Sequence, residues 1–173
     1  MAVPTTAKKL AVDSNILFDL ASEDDFAHTF REVLQERNYS ISVPPTVVQE
    51  LTYAAFHKTA KSADEKTQRR LAEKALREML SWKITPFNLI PTGHAITEQF
   101  VKKLQLCGLL PDEEFNDGLI LAETSLADIP VLITNDLHLT QIDATQLHIS
   151  FEASDLSPVI VVRPRILLRA LAQ

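Results

Sequence analysis

Short apolar segments recur along this chain, with helical segments between them. They lie at residues 9–12 (K-L-A-V), 39–43 (Y-S-I-S-V), 130–134 (around V-L-I-T) and 159–162. Strands buried on both faces of a sheet are apolar along their length, and strands that alternate with helices form parallel sheets. The pattern therefore predicts an α/β fold: a three-layer α/β/α sandwich with a central, mainly parallel sheet.

The segments between these strands carry helical spacing and helix-start signals. A chain of 173 residues suffices for one domain, so we expect residues 1–173 to form a single domain. Residues 87–90, bracketed by two prolines, are a further candidate strand. The predicted helices follow residue 13 and occupy 23–37, 46–58, 62–82, 92–107, a stretch from 112 or 116 to 127, and the residues from 164 onward.

Several catalytic architectures are excluded by residues that the chain lacks. With only three glycines there is no G-x-G-x-x-G, Walker A or G-x-S-x-G motif, and the five histidines do not form H-E-x-x-H. The single cysteine, Cys107, excludes a disulfide and a cysteine-based zinc site. Any catalysis by this chain must therefore rest on carboxylates.

The same features bear on the compartment. One cysteine is typical of a reducing environment, and no leader-like apolar stretch follows basic residues at the start of the chain. No apolar run approaches the roughly 20 residues of a membrane span. We therefore expect a cytoplasmic protein that does not contact a membrane.

Four acidic residues lie where strands end or the following helices begin. Asp13 follows the first strand, Glu50 lies on the helix after the second, Asp117 opens a helix, and Asp136 follows V-L-I-T. Ligands bind beyond the carboxyl ends of parallel strands, so these side chains can share one pocket. Each also has a purely local interpretation: a helix cap for Asp13, a solvated position for Glu50, a helix-dipole interaction for Asp117 and a turn for Asp136.

Converging carboxylates repel each other unless a cation lies among them. Mg²⁺ prefers a few carboxylate ligands, keeps several waters and coordinates phosphate oxygens. It also polarises a phosphoryl group and lowers the pKa of water. The chemistry indicated by the four acids is hydrolysis of a phosphate ester.

The sequence around each acid resembles a motif of the PIN-domain nucleases, in the family's order. The segments are V-D-S-N-I-L-F-D-L, V-V-Q-E-L, N-D-G-L-I-L-A-E-T-S-L and I-P-V-L-I-T-N-D-L-H-L. The resemblance implies that Asp13, Glu50, Asp117 and Asp136 bind one or two Mg²⁺ or Mn²⁺ ions. It also implies endonucleolytic cleavage of RNA that leaves 5′-phosphate and 3′-hydroxyl ends.

Neighbouring polar residues have supporting roles in this interpretation. Ser14 and Asn15 follow the first acid, while Thr134 and Asn135 precede the last and are placed to hydrogen-bond Asp13 or the phosphate. One alternative concerns the acids just before Asp117, any of which can join the site or extend its rim: Asp112, Glu113 and Glu114. A phosphatase of the haloacid dehalogenase type would need an Asp two residues after Asp13, where Asn15 stands.

The resemblance leaves the biological role open. The leading interpretation is the toxin of a toxin–antitoxin pair, with an antitoxin protein as partner and a homodimer as the assembly. The middle region, residues 58–110, is longer than in compact toxin members. This keeps open an enzyme of RNA maturation or decay and a PIN-like module that binds RNA or protein without cleaving.

A net charge of −6 disfavours a general nucleic-acid coat protein, but the charges are unevenly distributed. A basic stretch in mid-chain and two arginines near the last strand are candidates to contact RNA phosphates. The alternative for the mid-chain stretch is a solvated helix face with ion pairs such as Glu73–Arg77. The candidate RNA-binding residues are Lys58, Lys61, Arg69, Arg70, Arg163 and Arg165.

Overall fold

A five-stranded parallel sheet lies at the centre of the computed structural model, which describes residues 8–56 and 61–172. Its strand order is β3-β2-β1-β4-β5, and each neighbouring pair is parallel. The mainly parallel sheet predicted from the sequence is confirmed. The strands are β1 (Lys8–Val12), β2 (Tyr39–Val43), β3 (Ile84–Pro86), β4 (Val131–Ile133) and β5 (Ile160–Val162).

Helices connect these strands and flank the sheet. A short 3₁₀ turn, Asp112–Glu114, precedes the helix that carries Asp117. No helix among the described residues is long and apolar enough to cross a membrane. In the part of the chain that is described, the helices are α1 (Ser14–Ala21), α2 (Asp25–Glu36), α3 (Pro45–Phe56), α4 (Ala63–Glu78), α5 (Pro91–Leu106), α6 (Phe115–Leu126), α7 (Leu137–Thr140), α8 (Ala144–Glu152) and α9 (Pro164–Leu171).

The central strand shows why the apolar runs predicted this architecture. Successive residues of a strand point to opposite faces of the sheet. Leu10, Ala11 and Val12 of β1 are all at most 1% exposed, so both faces of the sheet are covered at this strand. The α/β/α layering expected from the sequence is therefore observed.

The order of the strands reverses beside β1. The chain moves from β1 to β2 and β3 on one side, and then crosses to β4 and β5 on the other. In open parallel sheets this reversal opens a crevice at the carboxyl ends of the strands, where ligands bind. Here the crevice lies between the ends of β1 and β4.

Two features bring further elements to that crevice. The helix α3 starts just after the carboxyl end of β2, the strand next to β1. The helix α6 ends four residues before β4 begins, so its first turn lies near the carboxyl edge and its last turn near the opposite edge. The acids at the start of α6 and early in α3 thus approach the end of β1.

The predicted strand at residues 87–90 is wrong. The strand in this region is β3, which ends at Pro86 and pairs with β2 through Ile41–Ile84, Ser42–Thr85 and Val43–Pro86. Because β3 is an edge strand, the absent N–H of Pro86 can face away from the ladder. The flanking prolines therefore marked the end of a strand rather than the borders of one.

The helix boundaries differ modestly from those predicted. The mid-chain helix ends at Glu78 rather than residue 82, and α5 starts at Pro91 with no side-chain cap from Thr92. Gly108 has a φ of +69° just after α5, as expected for a helix-terminating glycine. The end of the helix predicted at 46–58 lies outside the described residues.

Gly118 allows α6 to lie close to α5. A Cβ atom at this position would meet Val101 Cγ1 at 2.7 Å and Leu110 Cδ2 at 2.9 Å. These contacts are too short for an added methyl group, so a larger residue would push the two helices apart. Because Gly118 has no side chain, the start of α6, which carries Asp117, can pack closely against α5.

We expect Gly118→Ala to lower the free energy of unfolding by about 1–3 kcal/mol, the usual cost of overpacking a core. Urea denaturation followed by circular dichroism measures this change. Gly93→Ala is the matched control, because the first contact of its added Cβ is with Leu89 Cβ at 3.2 Å and the next is at 3.6 Å. A Gly118→Ala protein as stable as the wild type would contradict this account of the α5–α6 contact.

Candidate active site at the carboxyl edge of the sheet

Asp13 lies at the end of β1 and is almost fully buried. Its side chain is 4% exposed and accepts hydrogen bonds from Ser14 N at 2.6 Å, Asn15 Nδ2 at 2.6 Å and Thr134 Oγ1 at 2.7 Å. Burial raises the pKa of Asp13, and the hydrogen bonds from Thr134 and Ser14 oppose that rise. The bond to Ser14 N also makes Asp13 the N-cap of α1, so the local interpretation is confirmed and the functional one stays a prediction.

The hydroxyl of Thr134 joins the ends of β1 and β4. It donates to Asp13 Oδ2 and accepts from Asn15 Nδ2 and from the backbone N of Asp136, each at 2.9 Å. One donated and two accepted bonds use the full capacity of a hydroxyl group. Thr134 is fully buried, so this network fixes Asp13 relative to the loop that carries Asp136.

Asn135 contacts α1 rather than Asp13. Its backbone N donates to Asn15 Oδ1 at 3.1 Å, and its side-chain Nδ2 lies 3.3 Å from Asp19 Oδ2. The predicted hydrogen bond between Asn135 and Asp13 is therefore replaced by bonds to Asn15 and Asp19. Asn135 instead fastens the loop after β4 to the first turns of α1.

Asp136 caps the short helix α7 and thereby also has a local role. Its Oδ1 accepts from His138 N at 2.7 Å and Leu139 N at 3.1 Å. The imidazole of His138 lies 3.4 Å from Glu114 Oε1. The loop after β4 thus approaches the 3₁₀ turn that precedes α6.

Glu50 faces the start of α6. Its Oε1 accepts a hydrogen bond from Asn116 Nδ2 at 3.1 Å. Burial raises the pKa of Glu50, and the Asp13 charge adds to the rise, while hydrogen bonds with Ser14 and Asn116 oppose it. Nothing in the local sequence shows that Asn116, a candidate helix start, faces α3.

Asp117 has a strongly raised pKa. Burial, followed by the charges of Asp136, Asp13, Glu114 and Glu50, raises its pKa to about 8. Its Oδ2 atom is buried and has no hydrogen-bond partner among the described residues. Without a cation this carboxyl group is therefore mostly protonated at neutral pH, and one of its oxygens is unsatisfied.

The four predicted acids thus influence one another electrostatically, but they do not form a ready coordination shell. In residues 8–56 and 61–172, no group of three or more His, Cys, Asp or Glu side chains is arranged to hold a metal ion. Carboxylates that lack a counterion stay apart because they repel each other. The donor set and the unsatisfied Asp117 oxygen fit a hard divalent cation, which prefers carboxylate oxygens.

Glu114 is the member of the preceding acidic run that approaches the site. Its charge acts on Asp117 and its carboxylate contacts His138, whereas Asp112 and Glu113 are exposed. Glu114 extends the acidic rim in the way that sequence analysis allowed.

The basic candidates do not lie together. Arg163 follows β5 at the same sheet edge as Asp13 and lies 3.3 Å from Thr140 Oγ1, whereas the guanidinium of Arg165 stacks 5.0 Å from the ring centre of Phe26. In α4, Arg69 pairs with Glu73 at 2.9 Å. Lys61 and Arg70 are exposed, and Lys58 lies outside the described residues.

The ion pairs of α4 differ in detail from the expected solvated face. Glu73 pairs with Arg69 rather than with Arg77, which lies 3.4 Å from Glu78. Lys74 pairs with Glu23, which lies just beyond the C-terminal end of α1, whereas Asp13 lies at the N-terminal end of that helix. Part of the positive charge of this helix is therefore used in ordinary surface ion pairs.

Comparisons with known proteins agree with this architecture. A solved VapBC2 from Rickettsia felis, bound to a DNA fragment from its promoter, is similar with a TM-score of 0.59 and 17% identity, over 90% of this chain and 98% of that chain. FitAB bound to an IR36 DNA fragment is similar with a TM-score of 0.52 and 17% identity, over 90% and 94%. These similarities show a shared fold. The search of curated proteins found no match.

The family comparison covers most of the chain. The model of the PIN domain matches residues 10–144, which span β1 to the start of α8 and include Asp13, Glu50, Asp117 and Asp136. The matched region therefore includes the crevice between β1 and β4 and the helices that border it. The chain belongs to the PIN domain family.

Proposed function

We propose that this protein is a metal-dependent endoribonuclease that hydrolyses RNA phosphodiester bonds. PIN domains are generally nucleases. The observation that carries the proposal is Asp117: a carboxyl group with an unsatisfied buried oxygen and a pKa of about 8, surrounded by three further acids at the strand-order reversal. A group perturbed in this way by burial and like charges is characteristic of a functional site.

Asp13, Glu50, Asp117 and Asp136 would hold one or two Mg²⁺ or Mn²⁺ ions. When bound, such an ion polarises a phosphoryl oxygen, lowers the pKa of water and offsets negative charge in the transition state. In the hydrolysis, the oxygen of water bonds to phosphorus while the bond to the 3′ oxygen breaks. The products are a 5′-phosphate and a 3′-hydroxyl, as the family resemblance implies.

The neighbouring residues orient the carboxylates for this reaction. Thr134 and Asn15 hold Asp13 Oδ2, and Ser14 N holds Asp13 Oδ1. Asn116 directs Glu50 Oε1 towards α6. Such hydrogen bonds to metal-binding carboxylates fix their rotamers and tune their basicity.

Arg163 is the basic residue best placed to meet the RNA backbone at this edge. It follows β5, and its contact Thr140 lies in the helix that Asp136 caps. Exposed Lys61 and Arg70 on and before α4 are further phosphate contacts in this proposal, as is Lys58. A few such contacts suffice for binding, since the phosphate backbone supplies much of the affinity.

We further propose that the protein acts as the toxin of a toxin–antitoxin pair and forms a homodimer. The two solved neighbours carry the names of two-component assemblies, VapBC2 and FitAB, and each is bound to DNA. On α3, the side chains of Tyr53 and Phe56 are 69% and 67% exposed. Exposed aromatic side chains of this kind suit a surface that a partner protein covers.

A role in RNA maturation or decay is the second candidate. It is favoured by the long region between β2 and α6, which comprises α3, α4, β3 and α5. A module that binds without cleaving is disfavoured, because all four acids are present at the crevice.

We expect the purified protein to cleave single-stranded RNA with Mn²⁺ or Mg²⁺, and EDTA to abolish the cleavage. Asp13→Asn and Asp117→Asn each remove a proposed ligand and should lower the rate at least about 100-fold, the upper end for residues that support a metal site. A gel assay on 5′-labelled RNA measures this. Asp25→Asn, an exposed change in the first turn of α2, is the matched control and should retain activity.

Cleavage that persists in both variants and in EDTA would disprove the site assignment. A single-stranded DNA of the same sequence tests the substrate class, and equal cleavage of DNA would contradict the proposed RNA specificity. The ends of the products are checked by ligation, which requires a 5′-phosphate.

The raised pKa of Asp117 predicts a pH-dependent stability in EDTA. Its pKa is about 8 in the folded protein against an ordinary 3.8, so between these values the folded state binds more protons than the unfolded state. Stability therefore falls as pH rises through this window. Asp117→Asn lacks this loss and should have the higher Tm at about pH 9, with the difference shrinking towards about pH 5.

Scanning calorimetry across this pH range tests the prediction. Adding Mn²⁺ should raise the Tm of the wild type more than that of Asp117→Asn, because only the wild type retains the full ligand set. A wild type and variant whose Tm values run in parallel at every pH would show that Asp117 is not held in an unfavourable charged state.

If the protein is a toxin, its expression without a partner should arrest growth of a bacterial host. Asp13→Asn should abolish the arrest while accumulating to the same level, because Asn retains the helix-capping role of Asp. Growth curves with immunoblots measure both quantities. A normally growing culture that contains active enzyme would instead favour RNA maturation or decay.

A further inference from the structure

Glu123, a carboxylate outside the four acids, joins the helices that carry Glu50 and Asp117. Glu123 of α6 is 2% exposed. Its Oε2 accepts from Thr46 N at 3.0 Å, and its Oε1 accepts from Thr46 Oγ1 at 2.8 Å. Thr46 is 3% exposed, so both partners of this α3–α6 bridge are buried.

The bridge supplies a helix cap that the local sequence does not provide. Pro44 O accepts from Val48 N, which makes Pro44 the N-cap residue of α3, and Pro45 is the first helical residue. Proline has no N–H and no side-chain acceptor, so this end of α3 has no local side-chain cap. The first N–H to need a partner is that of Thr46, and Glu123 accepts from it with a charge suited to a helix N-terminus.

Residue spacing places this bridge on the same faces as the contact between Glu50 and Asn116. Thr46 and Glu50 are four residues apart on α3, and Asn116 and Glu123 are seven apart on α6. Residues with these spacings lie on one side of a helix. The α3–α6 interface therefore has two polar contacts, Asn116–Glu50 at the rim and Glu123–Thr46 deeper in the protein.

A pocket lies beside the bridge between Thr46 and Glu123. A cavity of about 240 Å³ lies between α3, α5 and α6, lined by residues that include Gln49, His94 and Leu119 as well as Thr46 and Glu123. The bridge therefore borders an open pocket on the side that faces α5. Burial raises the pKa of Glu123, the hydrogen bonds from Thr46 oppose that rise, and the Glu50 charge adds to it.

We propose that Glu123 and Thr46 are positioning residues that set the orientation of Glu50 relative to Asp117. The inference rests on the proposed function, in which both acids bind a divalent cation. Glu123 does not bind the ion in this account. It acts through α3, by fixing the helix turn that precedes Glu50.

Titration of the metal-free protein with Mn²⁺ by calorimetry tests the inference without relying on activity. Thr46→Val removes the hydroxyl, and Glu123→Met removes both acceptors. Each should weaken Mn²⁺ binding about tenfold, as is usual for residues that support a metal site. Thr46→Ser and Glu123→Gln keep the hydroxyl and an acceptor for Thr46 N, so both should bind within about twofold of the wild type.

Thr124→Val is the matched control for a merely structural effect. Thr124 is adjacent to Glu123 and fully buried, and its Oγ1 donates only within α6, to Ile120 O at 2.6 Å. Thr124→Val removes a buried hydroxyl just as Thr46→Val does, but it leaves the α3–α6 bridge intact. We expect unchanged Mn²⁺ affinity even if the Tm falls as far as in Thr46→Val.

A double-mutant cycle tests whether the effect passes through Glu50. In a Glu50→Gln background, adding Glu123→Met should cause less than about a twofold further loss of Mn²⁺ affinity, because coupled residues are not additive. A full tenfold loss in that background would overturn the inference, as would equal losses in Thr46→Val and Thr124→Val. If Glu123→Met does not fold, Thr46→Val carries the same cycle.

The outcomes separate this inference from the proposed function. Wild-type protein that binds no Mn²⁺, or binds it as well after Asp117→Asn, would overturn both. Binding that depends on Asp117 and Glu50 but is unchanged by Thr46→Val and Glu123→Met would overturn only the positioning role.

Discussion

The hydrogen bond between Thr134 and Asp13 joins the two strands on which the candidate site is built. Because β1 and β4 are neighbours at the point where strand order reverses, their carboxyl ends are adjacent although the residues are 121 positions apart. A buried hydroxyl that also binds Asn15 and the backbone of Asp136 sets the spacing of this edge. Glu50 and Asp117 lie on α3 and α6, which begin at the same edge.

This arrangement places charge where folding alone would disfavour it. Burial raises the pKa values of Asp13, Glu50 and Asp117, so the charged form of each acid is disfavoured in the absence of a cation. Asp13 and Asp136 offset part of the cost by capping α1 and α7. Asp117 Oδ2 has no hydrogen-bond partner among the described residues, which distinguishes this acid from the two that also stabilise their helices.

How far the sequence could predict this molecule depended on the range of each interaction. Apolar strands, helix caps and the order of acids are local signals. They predicted β1, β2, β4 and β5, and where the four acids lie relative to the strands and helices. The pairing of β3 before Pro86 depends on register with β2, which no local pattern records. Likewise, Asn116 and Glu123 acquire their roles only from α3, which lies 66 and 77 residues earlier.

The trans-capping of α3 by Glu123 has a consequence for how the protein is made. The first turn of α3 can be completed only when α6 has docked, and the edge that carries Asp13 closes only when β4 lies beside β1. Such contacts between distant residues form late in folding, since the intervening chain must first be ordered. During synthesis a nascent chain that ends before residue 136 lacks the last acid and its strand pairing. The cluster of four carboxylates is therefore complete only after the segment that carries Asp136 has emerged from the ribosome.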